Sequence, residues 1–305
     1  MFTTRADEFL AGWNQLPAEP WGNAVARAAV LMTPEGLSAT ATTCADNHYM
    51  HSSAVIDPVR AHAQHRALAR ALTDELPTCV FPGDPATPDA TFLNNAFATV
   101  PGQLILGAMR YPERQRETAR ADIRQFFEDL LGYATVDLAA SARGVAELTG
   151  SLVIDRRRGV GFCGLGERCD LAGARAMHAA FGLRLTFAFD LAEGEYHTNV
   201  VMSVLAGRTL VLVREGLADA HAVAALTVAY GEQCVELSAL EKNVFAGNCI
   251  ALREDRVWMS ASANRALDDN TRAAFARSGW RIGAVELSEI EKAGGALRCW
   301  VAGIF

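Results

Sequence analysis

Residues 198–237 read TNVVMSVLAGRTLVLVREGLADAHAVAALTVAYGEQCVEL, and the fold turns on how this stretch is parsed. Two apolar runs, residues 198–205 and 208–213, are joined across Ala206-Gly207, a pair suited to a tight hairpin. A helical segment begins near Ala218, and a further short apolar strand covers residues 233–237. The stretch therefore parses as strand, strand, helix, strand.

The same order recurs on both sides of it. A helix is predicted over residues 57–76, where Leu68, Leu72 and Leu76 lie four apart and Asp57-Pro58 makes a good start. A second covers residues 113–131, with Ile123, Phe126, Phe127, Leu130 and Leu131 on one face, and others begin near Asp170 and Asn264. The five starts are roughly 46 to 57 residues apart. Strands at 78–81, 134–138, 183–189 and 280–287 follow the other four helices. Five such units fill about residues 25–305 with no Pro/Gly/Ser-rich linker, which predicts a single α/β domain over 1–305, with residues 1–25 as an N-terminal extension or lid. Units that each need a neighbour to bury a face close most simply as a ring. A doubly wound sheet is the alternative that periodicity leaves open.

The composition is that of a globular chain: 305 residues, 50% hydrophobic and 21% charged, with no apolar run long enough to span a membrane. The net charge of −7 disfavours a nucleic-acid partner. Residues 1–14 carry Arg5, Asp7 and Glu8 and do not read as a secretory signal. Seven cysteines, an odd number with no C-x-x-C pair and no zinc-ligand spacing, point to reduced thiols in a cytoplasm and to no metal centre. One of them is a candidate for chemistry, and the other six, Cys44 among them, read as packing.

A match to the dinucleotide fingerprint, Gly159-Val160-Gly161-Phe162-Cys163-Gly164, has to be weighed. Arg156-Arg157-Arg158 separate it from the preceding strand, and bulky residues interleave its glycines, so a Gly-bearing strand of the repeat is the better reading. No cofactor is expected. Near the C-terminus, Gly294-Gly295-Ala296-Leu297-Arg298-Cys299 sets a cysteine just after two glycines that permit close backbone approach. His197 and Glu147 each precede an apolar strand in other units. Taken singly, all three have bland readings: a core thiol, a structural histidine, a surface carboxylate. In a closed ring their positions would converge on one axis.

Together these segments resemble the guanidino-group-modifying superfamily of arginine deiminases, dimethylarginine dimethylaminohydrolases and amidinotransferases. The segment Arg114-Gln115-Arg116-Glu117-Thr118 is similar to the R-x-R-E-T of arginine deiminases. More specific is the likeness to the arginine-deiminase-related branch that includes the bacterial citrulline utilisation hydrolase. Its D-x-V-F-P-N-N appears as Asp89 to Asn95 with Leu93 in place of Pro, and its E-G-T-G-S as Glu147 to Ser151 with Leu148 in place of Gly. Its Y-H-T-N (Tyr196 to Asn199), F-A-G-N (Phe245 to Asn248) and terminal G-G-x-x-R-C (Gly294 to Cys299) are intact.

The resemblance implies a five-bladed α/β propeller and a cysteine-dependent hydrolase of C–N bonds, with Cys299 as nucleophile, His197 as acid and base, and Glu147 orienting the histidine. It also implies that Arg114 holds a substrate carboxylate. Arginine deiminases grip their cationic substrate with aspartates, where this chain has Asn95 and Asn199, with Asn94 beside them. A neutral amide can pair with both the oxygen and the NH2 of a ureido group, whereas a buried guanidinium facing only amides loses the ion pairing that offsets its desolvation, which tilts the expectation to citrulline, hydrolysed to ornithine, CO2 and ammonia. Asp89 pulls the other way. The expected partner is a small amino-acid substrate, and a homo-oligomer is left open. The alternatives are an arginine deiminase or dihydrolase, an amidinotransferase, an NAD-binding oxidoreductase through the glycine series, and a non-catalytic binding module.

Overall fold

The computed structural model describes residues 1–38, 46–50, 54–141 and 144–305, so Cys44 lies outside the described residues. The chain opens with β1 (Phe2–Thr3) and α1 (Ala6–Trp13), followed by β2 (Ala28–Met32), α2 (Pro58–Thr73) and β3 (Thr78–Phe81). Next come β4 (Phe97–Val100), β5 (Gln103–Leu106), α3 (Ala121–Gln125) and β6 (Ala134–Asp137). The third group is β7 (Leu152–Asp155), β8 (Val160–Leu165), α4 (Leu171–Ala180) and β9 (Leu185–Asp190). The fourth group, within residues 198–237, is β10 (Met202–Leu205), β11 (Thr209–Val213), α5 (Ala220–Tyr230) and β12 (Cys234–Leu237). The last full group is β13 (Ile250–Arg253), β14 (Arg256–Ser260), α6 (Asp269–Arg277) and β15 (Arg281–Val285), and β16 (Ala302–Ile304) stands alone.

Four of these groups each form a mixed sheet in which a hairpin is extended by a parallel strand returning from the helix; three of these sheets have three strands, and the β7–β9 sheet gains a fourth because β1 pairs parallel with β9. The fifth is completed from the far end of the sequence: β16 pairs antiparallel with β2, Ala302 opposite Val30, and β2 pairs parallel with β3. The result is an α/β fold of five sheets. The first strands touch their neighbours, β16 against β4, β7 against β10 and β10 against β13.

Local chemistry explains where the elements start. Asp57, Asp170, Asp219 and Asp268 each cap a long helix by accepting a hydrogen bond from a backbone N–H of its first turn. Ala206 and Gly207 both have positive φ, the geometry of a two-residue hairpin turn whose twist matches its strands. Two predicted helices are broken. Over residues 113–131 the chain makes short helical turns instead, because Arg120 turns out of helical backbone (ψ 107°) while its guanidinium bonds Asp122 and the carbonyl of Pro82. The fifth helix is interrupted where Leu267 leaves helical backbone and Asp268, held by Glu241, caps a new one. The glycine series is strand β8, paired on both sides and buried, and not a strand-to-helix turn.

The N-terminal segment is anchored, since Phe9 is fully buried and stacks on Phe187 at 4.7 Å. Among the described residues no helix is long and apolar enough to cross a membrane.

Each first strand is entered through a tight turn. These are Leu93–Asn95 before β4, Leu148–Ser151 before β7, Thr198–Val201 before β10, residues 245–248 before β13, and Leu297–Trp300 before β16. Leu148 holds a positive φ of 24°, which costs on the order of 1–3 kcal/mol in a residue with a side chain. Its side chain is fully buried beside Ile105 and Cys163, and deleting a buried leucine costs about 2–5 kcal/mol. The packing wins. Leu148→Gly, although it restores a relaxed backbone, is therefore expected to lower stability by about 2 kcal/mol in urea unfolding. A variant at least as stable as the parent would contradict this balance.

Candidate active site

The entry turns pack against one another, Leu93–Asn95 and Thr198–Val201 on Leu148–Ser151, and Leu297–Trp300 on Leu93–Asn95. Because polar residues occupy these turns, they gather polar side chains from all five sheets in one place. A pocket of about 20 Å³ opens between them, lined among others by Asn47, Asp89, Asn95, Arg114, His197 and Cys299. That is room for about one water.

Glu147 is the centre of charge. Fully buried, it accepts from His197 Nε2 at 2.9 Å, Arg114 Nη1 at 3.3 Å and Arg168 Nη1 at 3.3 Å. Burial alone would raise its pKa. Arg168, the hydrogen bond from His197 and Arg114 together outweigh that and hold it well below the usual carboxylate range. An ionised Glu147 can only accept, so His197 Nε2 carries the hydrogen and the neutral ring leaves Nδ1 as an acceptor. Nδ1 is buried and has no hydrogen-bond partner among the described residues. Burial pushes His197 below its ordinary pKa against the pull of Glu147, so the ring is neutral at pH 7.

Cys299 is held by two asparagines. Asn248 donates through Nδ2 to its Sγ at 3.2 Å, while Asn248 Oδ1 accepts from the backbone N–H groups of Arg298 (3.0 Å) and Cys299 (3.3 Å). The thiol in turn lies 3.7 Å from Asn199 Oδ1, as a donor to it. Burial pushes the Cys299 thiol up, and the Asn248 contact only partly counters this. The resting pair is therefore a neutral thiol and a neutral imidazole. The loop before it is shaped by Gly294, whose φ of +75° suits glycine and whose added Cβ would lie 2.4 Å from Asn47 Nδ2. The carbonyl of Gly294 accepts from Tyr196 Oη (2.5 Å) and Asn47 Nδ2 (3.2 Å).

The remaining predicted residues are distributed unevenly. Asp89, Asn95 and Arg114 line the pocket, but Asn94 and Asn199 stand behind its wall. Asn199 donates to the carbonyl of Thr149 and accepts from Asn248. Asn94 is fully buried with neither amide atom hydrogen-bonded among the described residues. Arg114 is clasped by Glu117 through Nε and Nη2, both at 2.9 Å, in addition to Glu147. Its guanidinium is thus largely committed before any ligand arrives.

Arg168, Asn248 and Gly150 were not singled out by sequence reasoning. Arg168 bridges Glu147 to Asp46 and lines the pocket, although the stretch Glu167 to Asp170 reads as an ordinary surface turn. Asn248 lay inside a matched motif without a role. At Gly150 an added Cβ would sit 2.5 Å from Asn95 Oδ1 and 2.9 Å from His197 Nε2, so nothing larger fits between them. Among the described residues no cluster of His, Cys, Asp and Glu is placed to hold a metal.

Residues 33–305 match the family model described as N,N dimethylarginine dimethylhydrolase, eukaryotic. Among solved structures the chain is similar to the N-terminal domain of ArgZ, an arginine dihydrolase from the ornithine–ammonia cycle in cyanobacteria, in a substrate-bound form. That match has 19% identity and a TM-score of 0.79, over 91% of this chain and 97% of that one. It is also similar to AgrE in ternary complex with ornithine and NAD+, at 19% identity and TM-score 0.79, over 91% of this chain and 39% of that one. A third is DDAH from Pseudomonas aeruginosa complexed with citrulline, at 22% identity and TM-score 0.71, over 92% of this chain and all of that one. At these identities the structures establish a shared fold. No curated protein sequence matches the chain.

Because the Cys299 thiol is raised above its ordinary value, its alkylation by iodoacetamide, followed by mass spectrometry, is expected to keep accelerating beyond about pH 8.5. A rate that levels off below pH 8 would show a thiolate already formed at rest.

Proposed function

The chain belongs to the N,N dimethylarginine dimethylhydrolase family, and from that premise we propose how its residues carry out hydrolysis of non-peptide C–N bonds. The observation that carries the reading is the arrival, from three different entry turns, of Cys299 and the Glu147–His197 pair at one pocket. Cys299 is the nucleophile for the trigonal carbon of a guanidino or ureido group. His197 Nδ1 takes the thiol proton as the S–C bond forms, and the ionised Glu147 stabilises the imidazolium that results. The imidazolium then protonates the departing nitrogen as the C–N bond breaks. In the second half His197 takes a proton from water, which attacks the S–C carbon and releases the thiol.

For citrulline, the first half releases ammonia and leaves a thiocarbamate on Cys299. Water converts this to the carbamate of ornithine, which loses CO2 to give ornithine. The amide of Asn95 on the pocket wall supports this neutral substrate, since it can pair with the oxygen or the NH2 of a ureido group, while Asn199 and Asn248 hold the Cys299 thiol beside it. Arg114, which lines the pocket, holds the substrate carboxylate with the N–H groups that Glu117 and Glu147 leave to it. Asp89 favours a second reading, because a carboxylate on the pocket wall suits a guanidinium. On that reading arginine is the first substrate and is carried through both nitrogen losses.

The reading includes a single domain over 1–305 in which the five sheets close as a propeller, with 1–25 as an extension. The contacts between first strands and the pairing of β16 with β2 support it. A thiol nucleophile suits a reducing cytoplasm.

A panel of citrulline, arginine, methylated arginines and succinylarginine, assayed for ammonia and amino-acid product, tests the substrate. Citrulline should yield ammonia and ornithine in equal amounts, whereas rapid use of arginine with two ammonia released per ornithine would select the second reading. Cys299→Ala should abolish turnover on every member, and residual activity there would remove the nucleophile assignment. His197→Ala should lower kcat by about 10²–10⁴-fold. Gly150→Ala, by displacing both His197 and Asn95, should lower kcat at least tenfold with the urea midpoint little changed.

A further inference from the structure

A second cavity, of about 70 Å³, lies on the other side of the catalytic turns. It is lined by Ile154 of β7, Ser203 of β10, Ala251 of β13 and Gly303 of β16, and residues 24–26 form one wall. Thr149 and Arg298 belong to its lining, while Cys299, next to Arg298, lines the catalytic pocket and Gly150, next to Thr149, packs against His197 and Asn95 of that pocket. The cavity and the pocket are therefore two sides of the same turns.

Two arginines reach this cavity. Arg156 is 7% exposed, donates from Nη1 to the carbonyl of Thr99 at 2.9 Å, and lies over the Phe305 ring at 3.7 Å. Arg298 donates from Nη1 to the carbonyl of Val301 at 2.8 Å. Neither makes an ion pair with a carboxylate among the described residues, and the charge that bears on Arg156 is that of Arg298 itself. Burial and this like charge push Arg156 down to about 9, and burial lowers Arg298 as well, yet Arg156 is still protonated at neutral pH. The contrast with the catalytic side is sharp, since Arg114 and Arg168 are each held by two carboxylates. A buried guanidinium without a counter-charge is costly, and the cation–π contact with Phe305 offsets only part of that cost. Each guanidinium also keeps most of its five N–H donors for another acceptor.

We propose that this cavity binds a compact oxyanion, of the size of inorganic phosphate or sulfate, between the guanidinium groups of Arg156 and Arg298. The volume admits such an ion. Ser203 is not part of the grip, because its hydroxyl already bonds the carbonyls of Gly247 and Cys249, so recognition rests on charge and on the forked N–H groups.

The test is a thermal-unfolding titration of the full chain with sodium phosphate, with sodium chloride added to hold ionic strength constant. The wild-type Tm should rise saturably with phosphate, sulfate should substitute, and chloride alone should not. Arg156→Gln should weaken the apparent affinity at least tenfold, and Val204→Phe, which fills the cavity and keeps both arginines, should do the same. The proposal fails if the wild type shows no saturable rise, or if its phosphate dependence survives in Val204→Phe. Should Arg156→Gln not fold, the wild-type and Val204→Phe titrations decide the matter. None of these readouts depends on turnover, so the outcome is separate from the substrate question.

Discussion

A carboxylate with no access to water, Glu147, is the point on which the catalytic side of the molecule depends. Ionised carboxylates are buried only where opposite charge and hydrogen bonds replace water. Arg114 and Arg168 supply the charge, His197 one hydrogen bond, and each arginine is in turn tied to a further carboxylate, Glu117 or Asp46. The six groups form one network, in which removing a charged member leaves the buried charge of its partner less compensated. That network fixes the histidine tautomer, and with it the nitrogen that faces the pocket. The orientation of His197 is thus set by charged groups behind Glu147, away from the pocket it lines.

The thiol is treated differently. Among the described residues no positive charge touches Cys299 directly; amides hold it, and burial pushes its thiol up. Reactivity then has to be generated when substrate arrives. A neutral thiol beside a neutral imidazole also limits stray oxidation and alkylation, since the thiolate is the reactive form. Gly150 and Gly294 complete the arrangement by letting backbone approach side chains where a Cβ would collide.

The repeat was legible because it rests on local signals: aspartates that cap α2, α4, α5 and α6, the Ala206-Gly207 turn, and short apolar strands. The two broken helices were not, because their apolar spacing is helical. What breaks them includes tertiary contacts, the pull of the Pro82 carbonyl on Arg120 and of Glu241 on Asp268. At the site, motif positions located Glu147, His197 and Cys299, but they did not distinguish a wall residue such as Asn95 from Asn94 and Asn199 behind it. Arg168 escaped notice because an arginine in a polar turn is ordinarily solvated, and only the fold reveals that it is buried against Glu147. Arg156 and Arg298 were hidden for the same reason. A run of three arginines reads as surface, yet the first of them points inward.

The antiparallel pairing of β16 with β2 joins Ala302 to Val30, so the first sheet to be synthesised is the last to be completed. During translation β2 and β3 emerge with an open edge that only the far end of the sequence can cover. Long-range pairings of this kind carry a high loop-closure cost and fold late. Cys299 lies three positions ahead of β16, and the same late event that seals this sheet brings the thiol to Glu147 and His197. The pocket therefore stays incomplete in nascent chains however much of the scaffold has formed, and the exposed edge of β2 is where they are most open to chaperones or to pairing with another chain.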